Sequence, residues 1–172
     1  VSLEMKSPTL ALHPFPKEAS RNDFDKDKLG FEWQYLRNPI PDNYSLSERK
    51  GWLRIKTSPV SLNDLDAVSF VCRRQTEHDF SAETFLEFSA ANENEEAGMT
   101  LIQNNTHHYD FYIKKDGSHY SLQVKVRLRS LSYIASEQKL ASNKIKLKIE
   151  GNPKQYSFSF SEEKSENYKT LA

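Results

Sequence analysis

The chain has little of the residues on which several common functional sites depend. Its 172 residues include one cysteine, Cys72, so an internal disulfide and a cysteine-based zinc site are both excluded. Only five glycines occur, and none of them forms a glycine-rich phosphate loop. No GxSxG segment is present either, so the nucleophile elbow of serine hydrolases is missing. We expect Cys72, within VSFVCRR, to be a small buried strand residue rather than a reactive thiol.

Charge and hydropathy argue against two classes of partner. Lys and Arg together number 24 and Asp and Glu number 24, so the formal net charge is zero. A chain without a global field is not drawn to nucleic acid or to an anionic membrane, and we expect neither as a partner. No apolar run approaches the roughly 18 residues of a membrane helix. The start, VSLEMKSPTL, lacks the basic and apolar regions of a signal peptide, as in a mature product or a piece of a longer protein. The compartment stays open, and we favour an extracellular or periplasmic location over the cytoplasm.

The chain is rich in signals for short antiparallel strands. In KIKLKIE, residues 144–150, isoleucine and leucine alternate with lysine, and in YSFSFS, residues 156–161, aromatic rings alternate with serine. Such alternation is typical of strands with one face in a core and one in solvent. KKDGSHY carries an Asp-Gly pair that predicts a hairpin turn. The predicted strands are Phe31–Arg37, Gly51–Lys56, Ala67–Arg74, Ala82–Ser89, Gly98–Gln103, Tyr109–Lys114, Ser118–Arg129, Ser132–Ser136, Lys144–Glu150 and Gln155–Ser161.

No long stretch keeps a helical period, so the pattern predicts an all-β fold, a jelly-roll sandwich of two antiparallel sheets. We assign residues 1–22 to a tail or linker and residues 23–172 to the sandwich. Because the last strand signal is followed by EEKSENYKTLA alone, we expect the sandwich to lack a final strand or two.

Carboxylates and histidines offer weak candidates for catalysis or metal binding. Glu83 and Glu87 share a strand face in SAETFLEFS, but we expect them to be solvated or paired with an arginine rather than to form a glycosidase acid pair. His107, His108 and Asp110 form a cluster in THHYDFYIKK, which we interpret as an exposed polar strand face rather than a metal site. The pair His78 and Asp79, in a turn, has the same interpretation.

A calcium loop is a further possibility. Asp23, Asp25 and Asp27 alternate in DFDKDK, as at the start of an EF-hand loop. The later glycine and the terminal glutamate of such a loop are missing, and Lys26 and Lys28 intervene. We therefore expect no cofactor, with a structural calcium ion at the three aspartates as the alternative.

Aromatic and polar residues provide a candidate carbohydrate platform. Phe31, Trp33 and Tyr35 occupy alternate positions in FEWQYLRNP, so the three rings point the same way on a strand. Sugars stack on exposed rings, and arginine forms bidentate hydrogen bonds in polar grooves. The candidate carbohydrate-binding residues are Trp33, Tyr35, Arg73, Gln75 and Tyr109, with Trp52 and Tyr112 as further possible rings. The competing interpretation is that most of these rings fill the sandwich or its packing face.

Several phrases of the sequence resemble one known domain. LGFEWQYLRNP, NYSLSERKGWLRI, FVCRRQTEHDFSAETFLEF and EEAGMTLIQNNTHHYDFYIKK occur in this order, and they closely resemble the C-terminal β-sandwich of family-43 glycoside hydrolases. That group contains β-xylosidases and α-arabinofuranosidases. The resemblance covers roughly residues 23–168, and no phrase in it is a catalytic motif.

The resemblance implies a concanavalin-A-like jelly roll and an accessory role. In such enzymes the catalytic carboxylates lie in an N-terminal five-bladed propeller, so this chain is expected to hydrolyse nothing alone. The propeller of the same polypeptide is the implied partner. In the β-xylosidases the sandwich also lends a phenylalanine loop to the substrate pocket, from a segment expected after Leu171, so no residue of this chain inherits that role.

Three functions compete at this point. The leading hypothesis is a non-catalytic accessory domain of a hemicellulose-degrading glycosidase, which packs on the propeller through an apolar flank and shapes its substrate pocket. The alternative is a free-standing carbohydrate-binding module with an oligosaccharide as its ligand. The third is an autonomous hydrolase that uses Glu83 and Glu87.

Overall fold

The computed structural model describes residues 4–6, 9–11, 13–14, 16, 19–163, 165 and 167–172. Within these ranges the chain forms strands and one short 3-10 turn, Pro41–Asn43, and no α-helix. The strands are β1 (Trp33–Tyr35), β2 (Tyr44–Ser45), β3 (Arg54–Ile55), β4 (Val71–Arg73), β5 (Phe80–Glu87), β6 (Glu96–Asn104), β7 (His107–Asp116), β8 (His119–Leu128), β9 (Leu131–Leu140), β10 (Lys144–Gly151), β11 (Tyr156–Glu162) and β12 (Lys169–Thr170).

Two four-stranded antiparallel sheets build the sandwich. Sheet I has the order β12-β11-β10-β5, and sheet II is the meander β6-β7-β8-β9. Two smaller sheets, β1-β4 and β2-β3, come from the N-terminal part of the chain. The all-β prediction of two antiparallel sheets is confirmed. The predicted boundary near residue 23 stays a prediction, and the predicted tail, residues 1–22, lies partly outside the described residues.

Alternation along the strands sorts the side chains between core and surface. Ile145, Leu147 and Ile149 of β10 are almost fully buried, while the lysines between them lie on the outer face of sheet I. The same rule buries Phe158 and Phe160 on β11, and the central strands of sheet II supply the facing half of the core. Each fully buried side chain of this size contributes roughly 1.5–3 kcal/mol to folding.

The hairpin predicted between β7 and β8 is present, and it turns at Gly117. Asp116 pairs with His119, and the two residues between them form the turn. Gly117 has a φ of +57°, a conformation that glycine adopts without strain. The predicted hairpin is therefore confirmed, with Gly117 and Ser118 rather than Asp116 and Gly117 as the two turn residues.

One hydrogen bond between the sheets fixes how they are aligned. The Ser136 hydroxyl of β9 donates to the Leu171 carbonyl just after β12, at 2.8 Å. Strand β9 therefore lies opposite β12 at one margin of the sandwich, which leaves β5 and β6 at the other margin. The N-terminal part of the chain packs at that second margin.

Candidate functional site

The N-terminal lobe, residues 31–73, is held together by the β1-β4 pair and by the half-buried phenol of Tyr44. Trp33 pairs with Arg73 and Tyr35 with Val71. The Tyr44 hydroxyl accepts a hydrogen bond from the Phe70 amide at 2.8 Å and lies 3.1 Å from the Phe70 carbonyl oxygen. Burial raises the pKa of the Tyr44 phenol. Backbone-directed bonds of this kind hold β2 against the segment that leads into β4.

The lobe is clamped to sheet I by an aromatic pair and an ion pair. Trp52 packs edge-to-face on Phe85, with ring centroids 5.5 Å apart. The guanidinium of Arg49 lies 3.8 Å from the Trp52 ring and 3.0 Å from the Glu87 carboxylate. Stacking and ion pairing therefore converge on the outer face of β5.

A second clamp joins the lobe to sheet II. His108 lies on β7 and is 1% exposed, with Nδ1 2.8 Å from the Asp110 carboxylate and Nε2 3.3 Å from Asn63 Oδ1. Thr100 donates to the same Asp110 oxygen at 2.9 Å. The interpretation of this cluster as an exposed polar face is wrong for His108 and Asp110, which are buried, and the loop that carries Asn63 contacts His108. The lobe thus contacts both sheets at the β5/β6 margin.

The outward surface of the lobe carries exposed apolar side chains. Phe31 is fully exposed and Leu65 is 78% exposed. Tyr35, Ile40 and Ile55 are 39%, 48% and 41% exposed. We call these five residues the lobe apolar set. A second exposed group lies at the β8–β9 hairpin and comprises Leu128, Leu131, Tyr133 and Ile134.

The structure brings together part of the predicted carbohydrate platform. Trp33 and Tyr35 share one face of the β1-β4 sheet with Arg73, whose guanidinium carbon lies 5.8 Å from the Trp33 ring. Gln75 follows two residues later and donates from its amide to the Glu77 carbonyl. Tyr109 lies elsewhere, packed beside the core of the sandwich.

Two of these rings are already in contact with protein. Phe24 lies 5.7 Å from Trp33, and Tyr44 packs edge-to-face on Tyr35 at 5.0 Å. The Trp33 indole N–H is buried and donates to no described residue. None of Phe31, Trp33 and Tyr35 belongs to the sandwich core, so these rings do not fill the sandwich, and packing within the lobe accounts for Trp33 and Tyr35. The other half of that interpretation, that the rings lie on the packing face of the domain, stays a prediction. Sugar binding at these rings stays a prediction.

The described residues contain no group of three or more His, Cys, Asp or Glu side chains that could hold a metal ion. Asp23, Asp25 and Asp27 therefore do not converge on one site, and Asp23 pairs with Arg21 at 2.6 Å. A structural calcium ion at these aspartates stays a prediction. The arrangement of the three side chains does not support it, because they do not converge. His78 and Asp79 also form no such group.

Both acidic residues of β5 lie opposite lysines of β10, and Glu87 is engaged in surface ion pairs. Glu83 lies opposite Lys148 on β10, and Glu87 opposite Lys144. Glu87 contacts Arg49 at 3.0 Å and Lys144 at 3.7 Å, which lowers its pKa. The expectation of an arginine partner is confirmed for Glu87. A carboxylate that two cations hold in the ionised form is also unsuited to general acid catalysis.

Cys72 lies on β4 and is half-buried. Burial raises the pKa of its thiol, which disfavours the reactive thiolate. The position on a strand agrees with the expectation, although the side chain is half-buried rather than buried, and the raised pKa agrees with an unreactive thiol.

Sequence reasoning did not single out Arg49 or Asn63, which form the two clamps. Each lies in an irregular polar stretch, where no local pattern marks a long-range contact. None of the described residues forms a helix long and apolar enough to cross a membrane.

Two packed antiparallel sheets with an N-terminal lobe define a concanavalin-A-like β-sandwich domain. The chain belongs to the family of β-xylosidase C-terminal concanavalin-A-like domains, whose model matches residues 21–172. The resemblance read from the sequence is therefore confirmed.

Two named relatives support this assignment. The chain is 30% identical over 152 residues to a non-reducing end α-L-arabinofuranosidase of Bacteroides ovatus, a match that covers 88% of this chain and 29% of that protein. It is 35% identical over 117 residues to a xylosidase/arabinosidase of Butyrivibrio fibrisolvens, with 65% of this chain and 22% of that protein covered.

Solved structures agree with the sequence relatives. The fold matches a family-43 protein from a xyloglucan locus of B. ovatus with a TM-score of 0.89 and 28% identity, over 96% of this chain and 32% of that chain. A xylan β-1,4-xylosidase from Bacillus halodurans gives the same TM-score, identity and coverage. The chain thus spans about a third or less of each of these proteins.

Proposed function

We propose that this chain is the non-catalytic accessory domain of a larger family-43 glycosidase, and that its N-terminal lobe packs against the catalytic domain of the same polypeptide. The observation that carries the proposal is the lobe apolar set: five large apolar side chains are exposed in the segment nearest the point where a preceding domain would connect. Large exposed apolar side chains that lie together mark surfaces that a partner covers, and the proposal places these five on one such surface.

The resemblance supplies the nature of the partner, a five-bladed propeller that carries the catalytic carboxylates. The lobe is suited to this role because it is clamped to both sheets, through Trp52 on Phe85 and through Asn63 on His108. A lobe fixed at two points presents a preformed surface, which lowers the ordering cost of docking. In the docked state the lobe would lie beside the substrate pocket and shape its rim.

The names of the relatives suggest the substrate of the parent enzyme. They include α-L-arabinofuranosidase, xylosidase/arabinosidase and xylan β-1,4-xylosidase. We therefore propose that the parent releases pentosyl residues from hemicellulose-derived substrates. A location outside the cytoplasm stays a prediction.

A hydrolysis assay tests the non-catalytic role. The purified 172-residue chain is incubated with an aryl β-xyloside and an aryl α-arabinofuranoside, and the aglycone released is measured by absorbance. We expect no release above the buffer control. Release that disappears on Glu87→Gln would overturn the proposal in favour of an autonomous hydrolase.

A docking assay tests the partner surface. The catalytic domain encoded upstream is expressed separately and titrated with this chain in a calorimeter. Phe31→Ser and Leu65→Ser should weaken binding about tenfold each, since each removes a large apolar contact worth roughly 1.5–3 kcal/mol when fully buried. Leu131→Ser, in the exposed group at the β8–β9 hairpin, is the matched control and should leave the affinity unchanged.

A gene without an upstream catalytic domain contradicts the proposal. So does a complex that is weakened by Leu131→Ser and left unchanged by Phe31→Ser, because the β8–β9 hairpin would then be the docking surface.

A further inference from the structure

The tip of the β7–β8 hairpin carries the one Asp-Gly step of the chain. Every other aspartate is followed by a residue with a side chain, and no asparagine precedes a glycine. Asp116 ends β7, and Gly117 and Ser118 form the turn that leads to His119 at the start of β8. All four residues are exposed, so the step is open to water.

The two groups that could react with each other at this step are free of partners in the part of the chain that the structure describes. The Asp116 carboxylate forms no ion pair or hydrogen bond with a described residue, and the Gly117 amide N–H donates to none of them. A Cβ placed on Gly117 would meet nothing within 4 Å. The Gly117 nitrogen and the carboxyl carbon of Asp116 can therefore approach each other without displacing a neighbour.

The hairpin opposes this approach only weakly. Ring closure between the two atoms requires the Asp116 backbone to leave its extended conformation, and the pair of Asp116 with His119 is the outermost of the β7–β8 ladder. End pairs fray readily, because their hydrogen bonds are exposed and only one neighbouring pair holds them. Gly117, with a φ of +57°, adopts new backbone angles at no steric cost. The fully buried core begins at Ile113, so opening the end pair leaves the core packing intact.

We infer that Asp116 is a site of spontaneous isoaspartate formation, a covalent modification that reroutes the main chain through the aspartate side chain. The Gly117 nitrogen bonds to Asp116 Cγ and loses its proton, the bond from Cγ to the protonated carboxyl oxygen breaks, and one water leaves. Water then adds to the succinimide ring. Cleavage between the nitrogen and Cγ restores aspartate, whereas cleavage between the nitrogen and the main-chain carbonyl carbon gives isoaspartate. The water released in the first step is taken up in the second, and no other reactant is needed.

The modification changes the tip of the hairpin and leaves the rest of the domain unaltered. The main chain gains one carbon atom at residue 116, so the pair with His119 loses its geometry, while the pairs from Lys115 with Tyr120 inward are kept. The carboxylate is retained, so the net charge stays the same. His108, which anchors the lobe, lies eight residues before Asp116, or about 26 Å along an extended strand. The inference is therefore independent of the accessory role and of the lobe as a docking surface.

Peptide mapping of the aged protein tests the inference. The folded 172-residue chain is kept for weeks in mildly acidic buffer, where a protonated carboxyl group can lose water, and is then digested and analysed by liquid chromatography and mass spectrometry. An isoaspartyl peptide has the mass of the original peptide, elutes separately and resists a protease that cleaves before aspartate. We expect it to accumulate at residue 116. Accumulation at Asp79, which is exposed but precedes Phe80, should be about tenfold slower or less, since a side chain crowds the attacking nitrogen.

Two variants assign the reaction to the Asp-Gly step. Gly117→Ala should slow it about tenfold, because a Cβ hinders the approach of the nitrogen. Alanine is strained at a φ of +57°, so this variant also disturbs the turn. Asp116→Glu leaves Gly117 in place and lengthens the side chain by one methylene. The ring that it would form has six members and closes slowly, so no isomerised product should appear at residue 116 over the same period.

The same incubation in urea gives the rate for the unfolded chain. We expect the folded rate to be at least about a tenth of that value, since only the end pair of the hairpin has to open. A lower folded rate would overturn the inference, because the hairpin would then protect the step. An absence of isoaspartate at residue 116 in the folded chain, or equal accumulation at Asp79, would overturn it as well.

Discussion

The ring of Trp52 lies edge-to-face on the ring of Phe85, with centroids 5.5 Å apart, and this contact joins the N-terminal lobe to the first strand of the sandwich. We predict that Trp52→Ala and Phe85→Ala each lower the free energy of unfolding. In a double-mutant cycle their coupling should be about 0.5–1.5 kcal/mol, the usual value for an aromatic pair. Urea denaturation followed by circular dichroism measures it.

The control for this cycle pairs Trp52 with Tyr133. Tyr133 lies on β9 at the other margin of the sandwich and is 48% exposed. The coupling in this second cycle should be near zero. Equal coupling in the two cycles would show that the Trp52–Phe85 contact contributes nothing specific.

Glu87 should titrate below the ordinary range of a glutamate. The hydrogen bond from Arg49 is the largest cause of its lowered pKa, and the charges of Arg49 and Lys144 act in the same direction. Because the folded pKa lies below the unfolded value, the stabilisation is present above the unfolded pKa and is lost as the pH falls through the folded pKa. Arg49→Met should raise the pKa of Glu87, as measured by carboxyl carbon shifts.

Arg54→Met is the matched control for that titration. Arg54 pairs with Glu48 at 3.2 Å and does not contact Glu87 in the described structure. Its replacement should leave the pKa of Glu87 unchanged. A pKa that does not respond to Arg49→Met would remove the ion pair as the cause of the shift.

His108→Ala should lower the free energy of unfolding by about 1–3 kcal/mol. The substitution leaves the buried Asp110 carboxylate without one of its partners and removes the bond to Asn63. Urea denaturation measures the loss. His119→Ala, at an exposed position at the start of β8, should change stability by less than about 0.5 kcal/mol. Similar losses in the two variants would contradict a structural role for His108.

Tyr112 should resist ionisation in the folded chain. Burial is the main cause of its raised pKa, and the carboxylates of Glu96, Asp110 and Glu137 add to it. The unfolded chain binds fewer protons above the ordinary tyrosine pKa near 10, so stability that is full below that value falls as the pH rises. Tyr112→Phe should flatten this decline above pH 10, as followed by thermal unfolding at a series of pH values. An unchanged slope would show that Tyr112 titrates with the other tyrosines.

The faces of the regular strands could be predicted because alternation is a local property. In β10 every second residue is apolar, and each of these residues is buried as expected. Strand β9 is longer than predicted, Leu131–Leu140 instead of Ser132–Ser136, because the polar stretch SEQK is held by its pairing with β8. Strands β2 and β12, of two residues each, carry no periodic signal and were not predicted.

The candidate site was less predictable because it depends on contacts between distant segments. His108 and Asp110 face away from the core, so the pattern of β7 does not predict their burial, and the loop at Asn63 contacts His108. Phe31 continues the alternation of Trp33 and Tyr35, yet β1 begins only at Trp33 and the Phe31 ring is fully exposed. Glu137 and Gln123 meet only through the pairing of β8 with β9.

The two clamps of the lobe also impose an order on folding during synthesis. The lobe leaves the ribosome before the sandwich, but Phe85 and then His108, which anchor it, follow later, and β5 waits longer still for its neighbour β10. At about 5–20 residues per second, these segments spend several seconds without their final partners. The meander from β6 to β9 needs only adjacent hairpins, so it can form as it emerges and provide the template on which the earlier segments assemble.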